Sequence, residues 1–260
     1  MGRGSSSTTI TNAINNAVTN GRNINGVNKG CVVLFSSGNY NTSVAYPASL
    51  PNVIAVGASN MFDERKSPTT AYHDECWYSD CSGGSNYGTG IDVIAPGVKI
   101  YSTDISGFNG YSGNDYYSSF NGTSAACPNA AGVIALILSI NPNLTQAQAR
   151  KILESEVDKI NGYSYNPNVS GQPNGTWNNE VGYGRINANK AVCNALTSII
   201  SIKGSSSVCS QSNTYVIDNL PSSCNVLWNY STNLLLSSAS GNSATFTPNG
   251  SGNGWIEATV

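Results

Sequence analysis

The apolar positions near the start of the chain repeat with the period of a helix. Within residues 8–20 the apolar side chains fall at i, i+3, i+4, i+7 and i+8, at Ile10, Ala13, Ile14, Ala17 and Val18. This spacing places them on one face of an α-helix. Gly21 follows them closely, so we expect the helix to end there.

Three later segments are largely apolar without helical periodicity. They are rich in β-branched residues and cover residues 31–35, 53–56 and 91–94. Runs of this kind are typical of strands that are buried on both faces, as in a parallel sheet. Because long connections join the runs and a helix precedes them, the pattern predicts an α/β layer structure. The polar, Gly-rich segments 61–90 and 101–119 are expected to be surface excursions.

A long stretch of small and branched apolar residues predicts a buried helix from about Ser124 to Ser139. Pro128 fits such a helix best in its first turn, where the missing N–H costs nothing, and this places Ser124 at the helix start. A second helix is predicted after the capping box formed by Thr145 and Gln148.

The pattern changes again from about residue 200. Short runs, several of them alternating, are separated by turns of Ser, Gly, Asn and Pro, which is typical of a β-sandwich. A complete sandwich of this kind needs about 7 strands. Fewer runs are present, so we predict a partial module. The predicted domains are residues 1–197 and 198–260.

Composition and charge exclude several function classes. Charged residues make up only 10% of the chain and the net charge is −2, so nucleic acids and anionic membranes find no basic patch to bind. We find no apolar stretch of membrane-spanning length in the sequence. The polar bulk of Asn, Ser, Thr and Gly favours a secreted or cell-surface protein, with its signal peptide outside this chain.

The cysteines and the histidine limit the metal chemistry. The chain has seven cysteines and one histidine and no C-x-x-C pair, so a zinc site is not expected. Cys76 and Cys81 close a short loop that can hold a disulfide, and Cys209 and Cys224 are a second candidate pair. No acidic cluster has the spacing of a calcium loop, so we predict no metal site.

Ser124 is the main candidate for chemistry. A serine at the start of a buried apolar helix lies where the helix dipole and free N–H groups stabilise negative charge. The same position also suits a serine that only caps the helix. A nucleophilic serine needs a base, and no histidine follows Ser124, which excludes the chain order of an α/β-hydrolase. The base is therefore either His73 or a residue upstream of Met1.

Five motifs in order then identify the family that this chain resembles. They are VVLFSSGN ending at Asn39, YPASLPNVIAVGA at 46–58, IDVIAPG at 91–97, GTSAACP around Ser124, and GYGRINA at 182–188. Together they resemble the subtilisin-like serine proteases. The resemblance implies the C-terminal part of a three-layer α/β fold with a mostly parallel sheet, and a polypeptide substrate.

The resemblance also implies roles for individual residues. Ser124 would be the nucleophile, and the side chain of Asn39 together with the backbone N–H of Ser124 would hold the oxyanion. Ser36, Ser37 and Gly38 would line one wall of the pocket for the substrate side chain, and Thr123 would also contact substrate. Some family members bind calcium, although no ligand set is recognisable here.

The chain departs from the family pattern in its missing elements. The family's D-[TS]-G and H-G-T motifs are absent, and His73 lies where the family has a surface loop. We therefore expect a chain that lacks the catalytic Asp and His and is inactive alone. A non-catalytic adhesion or binding protein on a degenerate protease scaffold is the alternative, and an unusual hydrolase with His73 as base is a third. The tail resembles a partial immunoglobulin-like module.

Overall fold

The computed structural model of the chain describes residues 5–206, 211–220 and 226–260. The chain divides into two units, Met1–Ala195 and Leu196–Val260. The expected disulfide between Cys209 and Cys224 lies outside the described residues.

The helices and strands of the first unit follow one another in an α/β order. The helices are α1 (Thr8–Asn20), α2 (Thr123–Ile140), α3 (Gln146–Ser155) and α4 (Ala188–Thr197), with a short 3₁₀ helix at Pro68–Thr70. The strands are β1 (Asn23–Ile24), β2 (Val27–Asn28), β3 (Leu34–Ser36), β4 (Ile54–Ser59), β5 (Val93–Pro96), β6 (Ile100–Thr103) and β7 (Tyr116–Phe120).

A parallel sheet of order β3-β4-β5 forms the centre of this unit. Every residue of β4 is buried, because it lies between two neighbouring strands and under α2. The prediction of a strand in 31–35 is only partly right. β3 begins at Leu34, and its residues are half-buried because it pairs on one side only, with β4, within the described residues.

Helix α2 packs across the sheet and contacts all three of its strands. Pro128 is the sixth residue of α2, so the prediction that it lies in the first turn is wrong. Its ring removes one helical hydrogen bond, the one to the carbonyl of Ser124. The prediction that no apolar stretch reaches membrane-spanning length also fails on length and composition. Residues 123–140 form an 18-residue helix of mean hydropathy 1.6, and seven of them are buried inside the protein.

The third helix is tied to the sheet by a buried ionic group. The capping box predicted for its start is present between Thr145 and Gln148. One turn further on, Arg150 bridges Asp92 at 2.8 Å and Glu154 at 2.6 Å. Burial raises the pKa of Asp92 to about 7, against the attraction of Arg150. Asp92 also accepts a hydrogen bond from the backbone N–H of Ala55, so it joins β4 to α3.

The polar segment 61–90 is only partly a surface excursion, which corrects the sequence-based prediction. Lys66 and Asp74 form an ion pair at 2.7 Å with both side chains 0% exposed. Asn60 donates to the same carboxylate, and the hydrogen bonds lower the pKa of Asp74 against the raising effect of its burial. Lys66 and Asp74 can be buried here because each is paired with the other.

Two hairpins were not predicted. β1 and β2 pair through a turn at Asn25 and Gly26, both with positive φ, which is the turn chemistry that favours tight hairpins. β6 and β7 pair within the segment expected to be irregular, and Tyr101 and Tyr116 stack on its exposed side at 5.8 Å. Because these tyrosines face solvent, the strands show no apolar alternation that would reveal them.

The second unit is built from antiparallel strands. They are β8 (Ser201–Lys203), β9 (Asn213–Asp218), β10 (Leu227–Tyr230), β11 (Leu234–Ser240), β12 (Ser243–Pro248) and β13 (Ile256–Thr259). One sheet has the order β11-β12-β9-β8 and the other is the pair β10-β13. Phe246 and Trp228, from the two sheets, meet edge to face in a shared apolar core.

Candidate active site

The candidate site lies at the carboxyl ends of β3 and β5, where α2 begins. Ser124 is the second residue of α2 and is exposed. Asn39 follows β3 by three residues and is half-buried. In parallel sheets this edge is the usual place for a binding site, because the loops that leave the strands converge there.

Glycines allow the serine turn to pack closely on the end of β5. The N–H of Gly122 donates to the carbonyl of Gly97 at 2.9 Å. A Cβ at Gly97 would lie 2.8 Å from the carbonyl oxygen of Gly122 and 2.7 Å from Cβ of Ala58. Gly122 itself has φ +118°, which other residues rarely adopt. The close approach fixes where α2 starts, and with it the position of Ser124.

The backbone N–H groups in the first turn of α2 are not equally engaged. The N–H of Thr123 donates to the side chain of Asn39, and those of Ala125 and Ala126 donate to the carbonyl of Gly122. In the part of the chain that the structure describes, the N–H of Ser124 has no acceptor. A helix start with one open N–H next to an exposed hydroxyl can bind an anionic oxygen.

The side chain of Asn39 is held by its oxygen. Oδ1 accepts from the backbone N–H of Thr123 at 2.9 Å and from the Thr123 hydroxyl at 2.7 Å. The amide nitrogen Nδ2 makes no hydrogen bond to any described residue and lies 3.1 Å from the position that a Cβ would take on Gly122. The donor end of the amide is therefore directed toward the serine turn.

Thr123 has a different place from the one expected for a substrate contact. It is 1% exposed, and its hydroxyl donates to Asn39 while accepting from the N–H of Gly38 at 3.2 Å. The residue thus links the loop after β3 to the first turn of α2. Its position is that of a support for Asn39.

The three residues expected to form a pocket wall also differ from one another. Ser36 ends β3 and is half-buried. Ser37 is 0% exposed, and its hydroxyl donates to the carbonyl of Asn86 at 3.1 Å, so it faces the interior. Gly38 has φ +110°, and a Cβ there would lie 2.4 Å from Nδ2 of Asn86. Glycine is therefore required beside Asn39.

Asn86 is a site residue that the sequence did not reveal. It is fully buried, and its Oδ1 accepts from the N–H of Tyr40 at 2.9 Å and of Thr42 at 3.3 Å. Its Nδ2 donates to the carbonyl of Ser43 at 2.9 Å. One side chain thus supplies the partners of three backbone groups in the loop that follows Asn39. In the sequence Asn86 is an asparagine within a polar segment, and such a composition predicts an exposed residue.

His73 and Cys127 are two further side chains of the first unit that could take part in nucleophilic chemistry. The Nε2 of His73 lies 2.6 Å from a carboxylate oxygen of Glu64, and its Nδ1 is buried with no hydrogen-bond partner among the described residues, so neither ring nitrogen bonds Ser124. Burial raises the pKa of the Cys127 thiol to about 11, so this cysteine stays protonated at neutral pH. Ser124 is therefore a better nucleophile candidate than Cys127.

A disulfide-closed loop borders the site. The predicted bond between Cys76 and Cys81 is confirmed. A pocket of about 260 Å³ is lined by Asn39, Asn121 and Gly122 on one side and by Cys76, Trp77 and Tyr78 on the other. Within the described ranges, no group of three or more His, Cys, Asp or Glu side chains could hold a metal ion.

Comparison with known proteins matches this chain to one protease family. The family model described as the subtilase family, Peptidase S8, matches residues 2–184. A calcium-dependent protease of Trichormus variabilis is 43% identical over 191 residues, which are 69% of this chain and 26% of the relative. An extracellular protease of Xanthomonas campestris pv. campestris is 40% identical over 164 residues, which are 62% of this chain and 24% of the relative.

Further relatives give the same assignment. A thermophilic serine proteinase of a Bacillus species is 37% identical, over 71% of this chain and 34% of the relative. A solved structure described as proteases from Pseudoalteromonas arctica matches with a TM-score of 0.51 and 29% identity, over 75% of this chain and 49% of that one. The chain spans about a quarter to a third of these curated relatives. Because the family model matches residues 2–184 of 260, the chain belongs to the subtilase family.

Proposed function

We propose that the chain is the nucleophile-bearing part of a serine endopeptidase that cleaves polypeptides by acyl transfer. The observation that carries the proposal is the pair of hydrogen-bond donors beside Ser124. The N–H of Ser124 has no acceptor among the described residues, and Thr123 directs the amide of Asn39 toward the same turn. Two fixed donors next to a nucleophile are what a tetrahedral oxyanion needs.

The proposed reaction uses these groups in order. The Ser124 hydroxyl attacks the peptide carbonyl carbon while a base removes its proton, and the N–H of Ser124 and Nδ2 of Asn39 stabilise the oxygen that becomes negative. The base then gives the proton to the leaving amine, which departs. Water attacks the acyl-enzyme in the same way and releases the acid. Gly38 and Ser36 would face the substrate side chain on the acyl side of the scissile bond. The hydroxyl of Ser37 points inward.

The base and the acid that orients it are assigned to elements outside these 260 residues. The chain has one histidine; its Nε2 is paired with Glu64, and its Nδ1 is buried without a hydrogen-bond partner among the described residues, so neither nitrogen bonds Ser124. We expect the 260-residue chain alone to be slower than the full-length protein by about 10⁶-fold, the size known for loss of the histidine in a subtilisin.

An active-site probe tests the proposal. A fluorophosphonate should label the full-length protein at Ser124, and labelling should disappear in Ser124→Ala. Ser139→Ala is the matched control, because Ser139 is an exposed serine at the other end of the same helix and should not affect labelling. Absence of labelling in the full-length protein would contradict the proposal and favour a non-catalytic adhesion or binding protein on a protease scaffold.

Export and the second unit complete the proposal. The Xanthomonas relative is named an extracellular protease, and the disulfide between Cys76 and Cys81 suits an oxidising compartment. We therefore propose a secreted or cell-surface protein. For the antiparallel second unit we propose an immunoglobulin-like module that acts as a passive spacer. The Trichormus relative is named calcium-dependent. We assign no calcium ligand among the described residues, and no step of the proposed reaction involves calcium.

A further inference from the structure

The loop closed by Cys76 and Cys81 contributes half of the pocket beside Asn39. The pocket holds about 260 Å³, which is below the usual size of a small-molecule site and suits a single side chain. Its walls are Asn39, Asn121 and Gly122 on the serine side, and three residues of the loop, Cys76, Trp77 and Tyr78, on the other.

The loop presents aromatic surface at this pocket. Tyr78 is 48% exposed, and its ring stacks on that of Tyr40, the residue after Asn39, with centroids 5.9 Å apart. Trp77 is 6% exposed, and its indole N–H is buried without an acceptor among the described residues. Because this N–H is enclosed, Trp77 contributes to the pocket as a wall residue and not as an open donor.

The loop is held against Asn39 from several directions. The N–H of Gly84 donates to the backbone carbonyl of Asn39 at 3.0 Å, and the N–H of Gly83 donates to the carbonyl of Trp77 at 3.0 Å. The buried ammonium of Lys66, paired with Asp74, lies 5.9 Å from the Trp77 ring. The loop is therefore a preformed wall, and its position is linked to the same backbone that carries the oxyanion donor.

We propose that the loop of residues 76–81 is a specificity-determining wall that takes an aromatic or large apolar side chain on the leaving-group side of the scissile bond. This inference rests on the proposed function. Ser36 and Gly38 are assigned to the acyl side and neither lines this pocket, so the inference assigns the pocket to the leaving group. Tyr78 stacks on the bound side chain.

Peptide binding to the full-length protein carrying Ser124→Ala tests this wall without requiring turnover. Labelled peptides that differ only in carrying Phe or Gly after the scissile bond should differ in Kd, with Phe bound more tightly. Tyr78→Ala in this background should weaken the Phe peptide about three- to tenfold, the range of an aromatic contact, while Tyr78→Phe keeps the affinity.

The matched control is Tyr72→Ala, because Tyr72 lies in the same polar segment and is 85% exposed but does not line the pocket. It should leave both affinities unchanged. The double variant Cys76→Ser/Cys81→Ser should reduce the preference for Phe as Tyr78→Ala does. Equal effects of Tyr78→Ala and Tyr72→Ala, or a preference that depends only on the residue before the scissile bond, would overturn the inference.

The same experiment separates this inference from the proposed function. If the fluorophosphonate does not label Ser124 in the unmodified protein but the Phe peptide still binds more tightly than the Gly peptide, catalysis is rejected and a peptide-binding wall is supported. Labelling at Ser124 with no effect of Tyr78→Ala beyond that of Tyr72→Ala would support the protease and reject the wall.

Discussion

At the scale of single residues, the direction of one amide decides what the candidate site can do. An asparagine side chain has an acceptor end and a donor end. Thr123 occupies the acceptor end of Asn39 with both its N–H and its hydroxyl. The donor end is left to face the turn that carries Ser124, so Thr123 acts as a positioning residue for Asn39.

This arrangement predicts graded kinetic effects in the full-length protein. Asn39→Ala should lower kcat for a peptide substrate by about 10²–10³-fold, the size known for an oxyanion-hole amide in a subtilisin, because the donor acts mainly in the transition state. Thr123→Val should lower kcat by about three- to tenfold, because one of the two hydrogen bonds that orient Asn39 is lost.

Steady-state hydrolysis of a quenched peptide measures both effects. Asn52→Ala is the control, because Asn52 is an exposed asparagine whose side chain bonds only Asn15 and should leave kcat unchanged. An increase in KM with kcat unchanged in Asn39→Ala would contradict a role in the transition state.

Sequence motifs predicted Ser124 and Asn39 but not the residues that position them. The proposed nucleophile and the proposed oxyanion donor lie in the short strings GTSAACP and SSGN, which can be read locally. Asn86 bonds Tyr40 across 46 residues of chain, and the Thr123 hydroxyl bonds Asn39 across 84. Whether a polar side chain is buried depends on such distant partners, and composition alone does not reveal them.

At the scale of elements, the position of the site depends on how the helices and strands of the first unit are held to one another. α4 is tied to the segment after α3 by Asp158, which pairs with Lys190 at 2.8 Å and with Arg185 at 3.0 Å. Lys190 and then the hydrogen bonds from Asn187 and Arg185 lower the pKa of Asp158 to about 2. The folded protein therefore prefers the charged carboxylate.

This preference predicts how stability depends on pH. The folded pKa of Asp158, about 2, lies below the ordinary value of 3.8, so its contribution is present above pH 4 and is lost as pH falls from about 4 to 2. At pH 7, Asp158→Asn should lower Tm by about 2–4 °C, because the ion pairs with Arg185 and Lys190 are lost.

Thermal unfolding from pH 7 down to pH 2 measures this dependence. The Tm difference between the unmodified protein and Asp158→Asn should shrink toward pH 2. Asp115→Asn, at an exposed carboxylate next to β7 that makes no ion pair within the described residues, is the control and should not shift Tm. A Tm difference for Asp158→Asn that stays constant down to pH 2 would contradict the assignment.

Element prediction succeeded where periodicity or continuous apolarity was strong. α1, β4 and α2 lie close to their predicted positions because burial imposes a pattern on their sequences. The hairpin β6–β7 was missed because its tyrosines are stacked on the solvent side. The buried segment around Lys66 was missed because paired charges can replace apolar residues in an interior.

At the scale of the whole molecule, the first unit brings the proposed nucleophile and the two proposed oxyanion donors together, and within the described residues no histidine nitrogen bonds Ser124. Its one histidine is paired with Glu64, and the five family motifs bring Ser124 and Asn39 to the same edge of the sheet. The chain spans about a quarter to a third of its curated relatives, and the proposal places the proton-transfer groups outside these 260 residues. The central claim is therefore the geometry around Ser124.

A crystal structure of the full-length protein with a phosphonate bonded to Ser124 tests that claim most directly. The account predicts one phosphonyl oxygen within about 2.7–3.1 Å of both the Ser124 backbone nitrogen and Nδ2 of Asn39. It is contradicted if Nδ2 of Asn39 lies more than about 4 Å from every phosphonyl oxygen while Ser124 carries the adduct.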